Sequence, residues 1–398
     1  MATTLRHRLF GALAATTIAG TLLTGLAGTA MAASSNPWIA YGGDSINNAR
    51  VPARGVDITT NSPKQFQTLR YTIGGQVRST TATATLNSNG DWTATARVDL
   101  GGLAGRQSIT AEMITGNKTS RVAKSIRVVD PATVADNGAN RPGRFVTPAI
   151  PAGFPNMSTT GVRTATPLRV VQGDLIITQP GVVENLDVRG CLVVKASDVT
   201  VRNTKITCVP GRALAVTVDG AARNVVLEDS EIDGNGAQVA IGWGNYTLRR
   251  VDVHSTADGP RLGYNVLIED SWIHDNVRYG DLHNDGMQTT SGTNIVVRHN
   301  SIDPSRGADP MNSAIMVGSE TGSRLVKDML VENNYLGGGS FTVNIRCDVN
   351  AQNVVFRNNT FADNSRYGQV QAPAAKITFA GKNLLNWSKQ AASFQSCS

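Results

Sequence analysis

The chain has 398 residues, 40% of them hydrophobic, with 37 Lys plus Arg against 30 Asp plus Glu for a formal charge of +7. That excess is spread over the chain without a Lys/Arg-rich run or an aromatic ladder, which argues against nucleic acid and is compatible with attraction to an acidic polymer or a cell wall. Beyond residue 32 no stretch holds the ~20 apolar residues needed to cross a bilayer, so membrane insertion is not expected. Residues 1 to 32 carry Arg6 and Arg8, an apolar run from Leu9 to Leu26 and a small-residue "AMA" ending at Ala32. This is the layout of a secretory signal and predicts an extracellular mature chain. In that compartment the four cysteines, Cys191, Cys208, Cys347 and Cys397, are expected to form two disulfides, and their spacing is not that of a metal site.

Residues 37 to 130 read as short strands. "FQTLRYTI", "STTATATL", "DWTATARVDL", "QSITAEMI" and "SRVAKSIRVV" are rich in Thr, Val and Ile and are separated by "GG", "NSNGD", "GGLAG" and "TGNK". About seven strands in a segment of this length suit an antiparallel sandwich. The "NGDW" turn before a strand and the glycine-rich loop after it resemble bacterial immunoglobulin-like domains of secreted proteins. This module shows no catalytic cluster, so a spacing or attachment role is expected. Residues 131 to 155, rich in Pro, Gly and Ala, read as a linker leading into the next module.

From residue 156 to the C-terminus the sequence repeats. "VTVRNTKI", "VVLEDSEI", "YTLRRVDV", "VLIEDSWI", "IVVRHNSI", "MLVENNYL" and "VVFRNNTF" start at 199, 225, 246, 266, 295, 329 and 354, with a weaker copy, "VVENLDV", at 182. Apolar residues hold the first, third and last positions, which is the pattern of a strand with one buried face; no helical period appears. A second set, "LAVTVDG", "VAIGWG", "GPRLGY", "DGMQTTSG", "SAIMVGS" and "FTVNIRCD", lies before these strands and predicts a second sheet. The repeat resembles the right-handed parallel β-helix of the pectin-lyase-like superfamily, an all-β fold. That resemblance implies a polysaccharide-active protein without fixing the reaction. Cys191 and Cys208 fall just after successive repeat copies, so the preferred pairing is Cys191 with Cys208 and Cys347 with Cys397. Four cysteines leave other pairings open.

Two clusters carry chemistry. In "GDLHNDGMQ", Asp281, His283 and Asp285 are expected to overhang a groove on the second sheet. Val216, Ile241, Met287, Met316 and Ile345 are assigned inward there, which turns Gln288, Asn344 and Arg346 outward, with Arg261 on the coil before. The residues after the repeats form the other cluster, a column running Thr207, Asp233, His254, His274, Asp303 and Gly337. Trp272 is placed on an outward parity and Trp243 on an inward one, where a core role is expected. Elimination on a uronate would use His283 or His274 as base, Tyr279 as acid and Arg346 or Arg261 against the carboxylate. Hydrolysis would instead use Asp281 and Asp285, with Asp258 in reserve. Asp281, His283 and Asp285 alternate, so calcium or another divalent ion is a candidate cofactor. The bland reading of "HNDG" is a turn with Gly286 at positive φ. The expectation is a secreted monomer acting on an extracellular polysaccharide. A lyase of acidic polymer is slightly favoured, a glycoside hydrolase is the first alternative, and a non-catalytic glycan- or wall-binding β-helix is the second.

Overall fold

The computed structural model describes residues 36–397 except 42–43, 48, 54, 83, 87–90, 130–147, 164–165, 279–282, 308, 320–323, 363 and 387. The expected secretory leader and most of the linker lie outside these residues. Among the described residues there is no helix.

The N-terminal module is two five-stranded sheets. One has the spatial order Asp44–Ser45, Trp38–Tyr41, Gly55–Ser62, Trp92–Asp99, Thr85–Leu86. The other runs Arg50–Pro52, Lys118–Val129, Gly105–Thr115, Thr68–Ile73, Gln76–Ala82. All neighbours are antiparallel except Arg50–Pro52, which pairs parallel with Lys118–Val129. Alternate residues turn inward, so that Ile39, Ile58, Leu69, Tyr71, Val98 and Ile109 share one buried core between the sheets. Gly55–Ser62 went unrecognised in sequence because Gly, Asp, Asn and Ser hold half of "GVDITTNS", which weakens its strand propensity.

The C-terminal module is a parallel β-helix. One face is a ten-stranded sheet from Arg169–Gln172 to Leu384–Leu385, and another is a nine-stranded sheet from Gly181–Glu184 to Thr378–Ala380. A third face is split into a four-stranded sheet ending at Val239–Gly242 and a five-stranded sheet beginning at Asp285–Thr289. Each eight-residue repeat, expected as one strand, is therefore two strands on two faces. "VLIEDSWI" divides into Tyr264–Glu269 and Trp272–His274 around Asp270. The residue at that bend is left-handed in every copy, with φ of 45° at Asn203, 46° at Asp229, 54° at Arg250, 53° at Asp270, 51° at His299, 54° at Asn333 and 55° at Asn358. Asn and Asp tolerate that region best, and they fill most of these bends.

Stacking then follows from register. Val188, Ile206, Ile232, Val253, Ile273, Ile302, Leu336 and Phe361 lie in one fully buried column. Each such side chain is worth roughly 1.5–3 kcal/mol relative to exposure. A buried ladder of Asn300, Asn334 and Asn359 runs beside it, each side-chain amide donating to the next carbonyl oxygen at 3.0 Å. The disulfides are Cys191–Cys208 and Cys347–Cys397, the pairing preferred from the repeats.

The sandwich is seated on the β-helix through Asp57. Its backbone N–H donates to the Gly211 carbonyl at 3.0 Å, its carboxylate accepts from the Ala213 N–H at 3.0 Å, and its carbonyl accepts from the Gln238 amide at 2.9 Å. Arg212 adds an ion pair at 3.3 Å.

Candidate functional site

The break in the third face makes the site. Around "GPRLGY", expected as a strand of this sheet, the third face has only single bridges, Val239 with Asp258 just before it and Arg261 with Gln288, and Tyr264 instead opens the strand Tyr264–Glu269. Pro260 has no N–H to give to a ladder. A Cβ on Gly259 would collide with the Gly286 carbonyl, so the chain passes closer here than a side chain allows. Gly286 serves the same close approach, since its own Cβ would stand 2.7 Å from the Ala314 carbonyl. It is not among the positive-φ glycines, which corrects the turn reading.

Asp258 and Arg261 fill the break as a buried ion pair of 2.5 Å. The Asp285 N–H donates to the other carboxylate oxygen of that pair, Asp258 Oδ1, at 2.9 Å. Asp285 opens the strand Asp285–Thr289 and is fully buried, although the sequence placed it on an overhanging loop. Its Oδ1 accepts from Asn312 Nδ2 at 2.9 Å and from the Ser313 hydroxyl, while Oδ2 is shielded and has no hydrogen-bond partner. Burial pushes this carboxyl above the usual carboxylate range, against the hydrogen bonds from Ser313 and Asn312 and the charges of Arg261 and His283. Asn284 locks the preceding loop by donating to the Ala257 carbonyl at 2.8 Å and the Val277 carbonyl at 3.1 Å.

Above Asp285 lies a cavity of about 290 Å³ between the β-helix and the outer face of the sandwich. The β-helix wall includes Trp243, exposed His283, Asp285, Gln288, Asn312 and Met316. The Gln288 side-chain oxygen is buried without a partner. Met316, assigned inward from sequence, pairs in register with Gln288 and Asn344 on the outward row, and Ile315 is the buried neighbour. Trp243, assigned to the core, is half-buried on the cavity wall, with the Arg261 guanidinium 5.3 Å from its ring. Its strand ends at Gly242, so the inward parity stops before it. Arg324 at the rim pairs with Asp91 of the sandwich at 3.6 Å.

Of the residues singled out in sequence, the structure brings His283, Asp285 and Gln288 to this cavity, with Arg261 buried beneath them. Asn344 shares the outward row of Gln288 two strands away, whereas Asp285 is on the parity of buried Met287. Arg346 lies beyond the end of its strand and forms a two-point ion pair with Asp348 at 3.0 and 3.1 Å. Asp281 and Tyr279 lie outside the described residues. His254, His274 and Trp272 belong to the ten-stranded face, where the expected column is in register from Thr207 through Asp233, His254 and His274 to Asp303. His254 and His274 have ring centroids 5.3 Å apart. Both nitrogens of His274 are engaged, Nε2 with Asp252 at 2.8 Å and Nδ1 with Asp275 at 2.7 Å. Burial lowers its pKa, but these two carboxylates outweigh burial and hold it above the ordinary histidine value. Trp272 stacks on the same ring at 3.5 Å. This face lies apart from the cleft, and Trp272, His274, Asp275 and Asp303 line a second cavity of about 130 Å³ on it.

Among the described residues no group of three or more His, Cys, Asp or Glu side chains converges to hold a metal. The chain matches no family model, no curated protein and no solved structure.

Proposed function

We propose that the protein is an extracellular, pectin-lyase-like polysaccharide lyase that takes a uronate-containing chain into the cleft between its two modules. Asp285 is the observation that carries this reading. A buried carboxyl that keeps its proton to higher pH than an ordinary aspartate, with one oxygen unpartnered beneath the cavity, is suited to protonate a leaving oxygen. His283, two residues earlier and exposed on the same wall, takes the C5 proton. The electrons of that C–H bond form the C4=C5 double bond, the C4–O bond breaks, and the departing oxygen receives the Asp285 proton. Arg324, which lines the cavity and is paired with Asp91, supplies the positive charge for the uronate carboxylate.

Hydrolysis needs a second carboxylate facing the first. Asp281, expected in that role, lies outside the described residues; among those described near the cleft, Asp258 is tied to Arg261, Asp91 to Arg324, and Asp219 accepts from the Ala221 N–H at 2.9 Å. A binding-only reading has one observation in its favour, the shielding of Asp285 Oδ2 from solvent. Incubating mature protein with acidic and neutral polysaccharides, with and without calcium, separates these readings. Ultraviolet absorbance of unsaturated uronates rising together with reducing ends is the expected result. Reducing ends alone would mean hydrolysis, and retention on an immobilised polymer without either product would mean binding only.

A further inference from the structure

The sandwich turns an unusual face to the cleft. In its strands Trp38–Tyr41, Gly55–Ser62 and Trp92–Asp99, alternate residues feed the core, and the opposite row, beyond Gly55, Asp57, Arg97 and Asp99 at one end, holds six residues: Trp38, Ala40, Thr59, Asn61, Thr93 and Thr95. All six line the cavity. None of the six is charged: Asp57 and Arg97 of the same row pair with each other at 3.3 Å away from the cavity, and Asp91 is the charged sandwich residue on its wall. Thr59 and Thr95 hydroxyls bond to each other at 2.8 Å, while Trp38 Nε1 is buried with no partner. Across the cavity the β-helix wall holds two buried oxygens without partners, the acceptor Gln288 Oε1 and Asp285 Oδ2, the oxygen that carries the carboxyl proton in this account. An unmet donor on one wall, and an unmet acceptor beside an unpartnered carboxyl on the other, each costly to leave unsatisfied, mark a space meant for a group that both accepts and donates.

We propose that the sandwich is half of the ligand site, with Trp38 and its threonine and asparagine neighbours holding the uncharged, hydroxyl-bearing side of a sugar residue against the β-helix wall. This rests on the polysaccharide reading of the cleft. The chemistry matches, because an aromatic ring covers the apolar face of a pyranose while neutral hydroxyl and amide groups exchange hydrogen bonds with its substituents. The cavity volume of about 290 Å³ equals that of roughly ten waters, so it accommodates a short stretch of one unbranched chain. The Asp57 junction fixes the spacing between the two walls.

The test is equilibrium binding of oligogalacturonate, oligoalginate and xylo-oligosaccharide to the full mature chain carrying Asp285→Asn, which removes turnover from the measurement. Adding Trp38→Ala should weaken the best of these ligands roughly ten-fold, and Trp38→Phe, which keeps a ring and loses the N–H, roughly five-fold. Thermal midpoints should stay together, since Trp38 lies outside the sandwich core. Equal affinity with and without Trp38 would overturn the inference and leave the polysaccharide reading standing. Failure of all three probes to bind the Asp285→Asn chain would overturn both.

Discussion

Asp285 is the residue on which chemistry and stability meet. Replacing it with Asn keeps the shape and the acceptor used by Asn312 and Ser313, and removes the proton. Turnover should fall roughly 100-fold or more, the usual share of a general acid, with folding intact by circular dichroism. The same substitution has a pH signature. A raised carboxyl pKa gives stability that is fully present below about pH 4, where the unfolded group also holds its proton, and that is lost as pH rises through the folded value. Denaturation curves of Asp285→Asn should lose that part of the decline, while buried Asp303, raised chiefly by burial, keeps its own. His274 is independent of catalysis in this account. Its raised pKa gives stability below about pH 6.5 that is lost as pH climbs through the folded value, and an NMR titration should find its midpoint above that of a free histidine. His283, Asp285 and Gln288 were legible as a polar knot in a histidine-poor chain. Met316 was not, because Ile315 and Met316 are both apolar and alternation cannot choose between them. Arg261 was misjudged for another reason: its partner Asp258 is close in sequence, but the break that buries them together is a tertiary feature.

At the scale of the element, the repeat was visible because buried columns demand the same residue type on every coil. Its division into two strands was not visible from hydrophobicity, since a bend of one residue leaves the alternation almost intact. The sign was in the polar pairs "ED", "RN" and "NN", whose Asn and Asp take the left-handed bend. Inside that bend the asparagine ladder makes a sharp prediction. Asn334 is fully buried, donates to the Val297 carbonyl at 3.0 Å and accepts from the Asn300 N–H at 2.9 Å. Asn334→Ala should cost roughly 2–3 kcal/mol in urea unfolding, since it strands buried groups on both sides. Asn353→Ala, at an exposed ladder position bonded to Asp328 and left-handed at φ 52°, should cost less, about 1 kcal/mol, the strain of Ala in that conformation.

For the whole molecule, the C-terminal disulfide closes the longer loop, with Cys347 and Cys397 separated by 50 residues against 17 for the other pair. In the chain-entropy view these are worth roughly 4 and 3 kcal/mol. Reduction should therefore loosen the C-terminal coils first, seen as early amide exchange there, because coils contact mainly their neighbours. The sandwich was legible as a sandwich and illegible as a cleft wall. Its role depends on which outer face meets the β-helix, and that is decided by Asp57 and its contacts with residues 211–213 and Gln238, far away in sequence. The central claim is that a polysaccharide lies between these two walls over Asp285. Hydrogen–deuterium exchange of the mature Asp285→Asn chain, with and without a bound oligosaccharide, tests it most directly. The account predicts added protection in residues 38–61 and 285–290 together. Protection confined to the His254 and His274 strands, with the cleft unchanged, would contradict it.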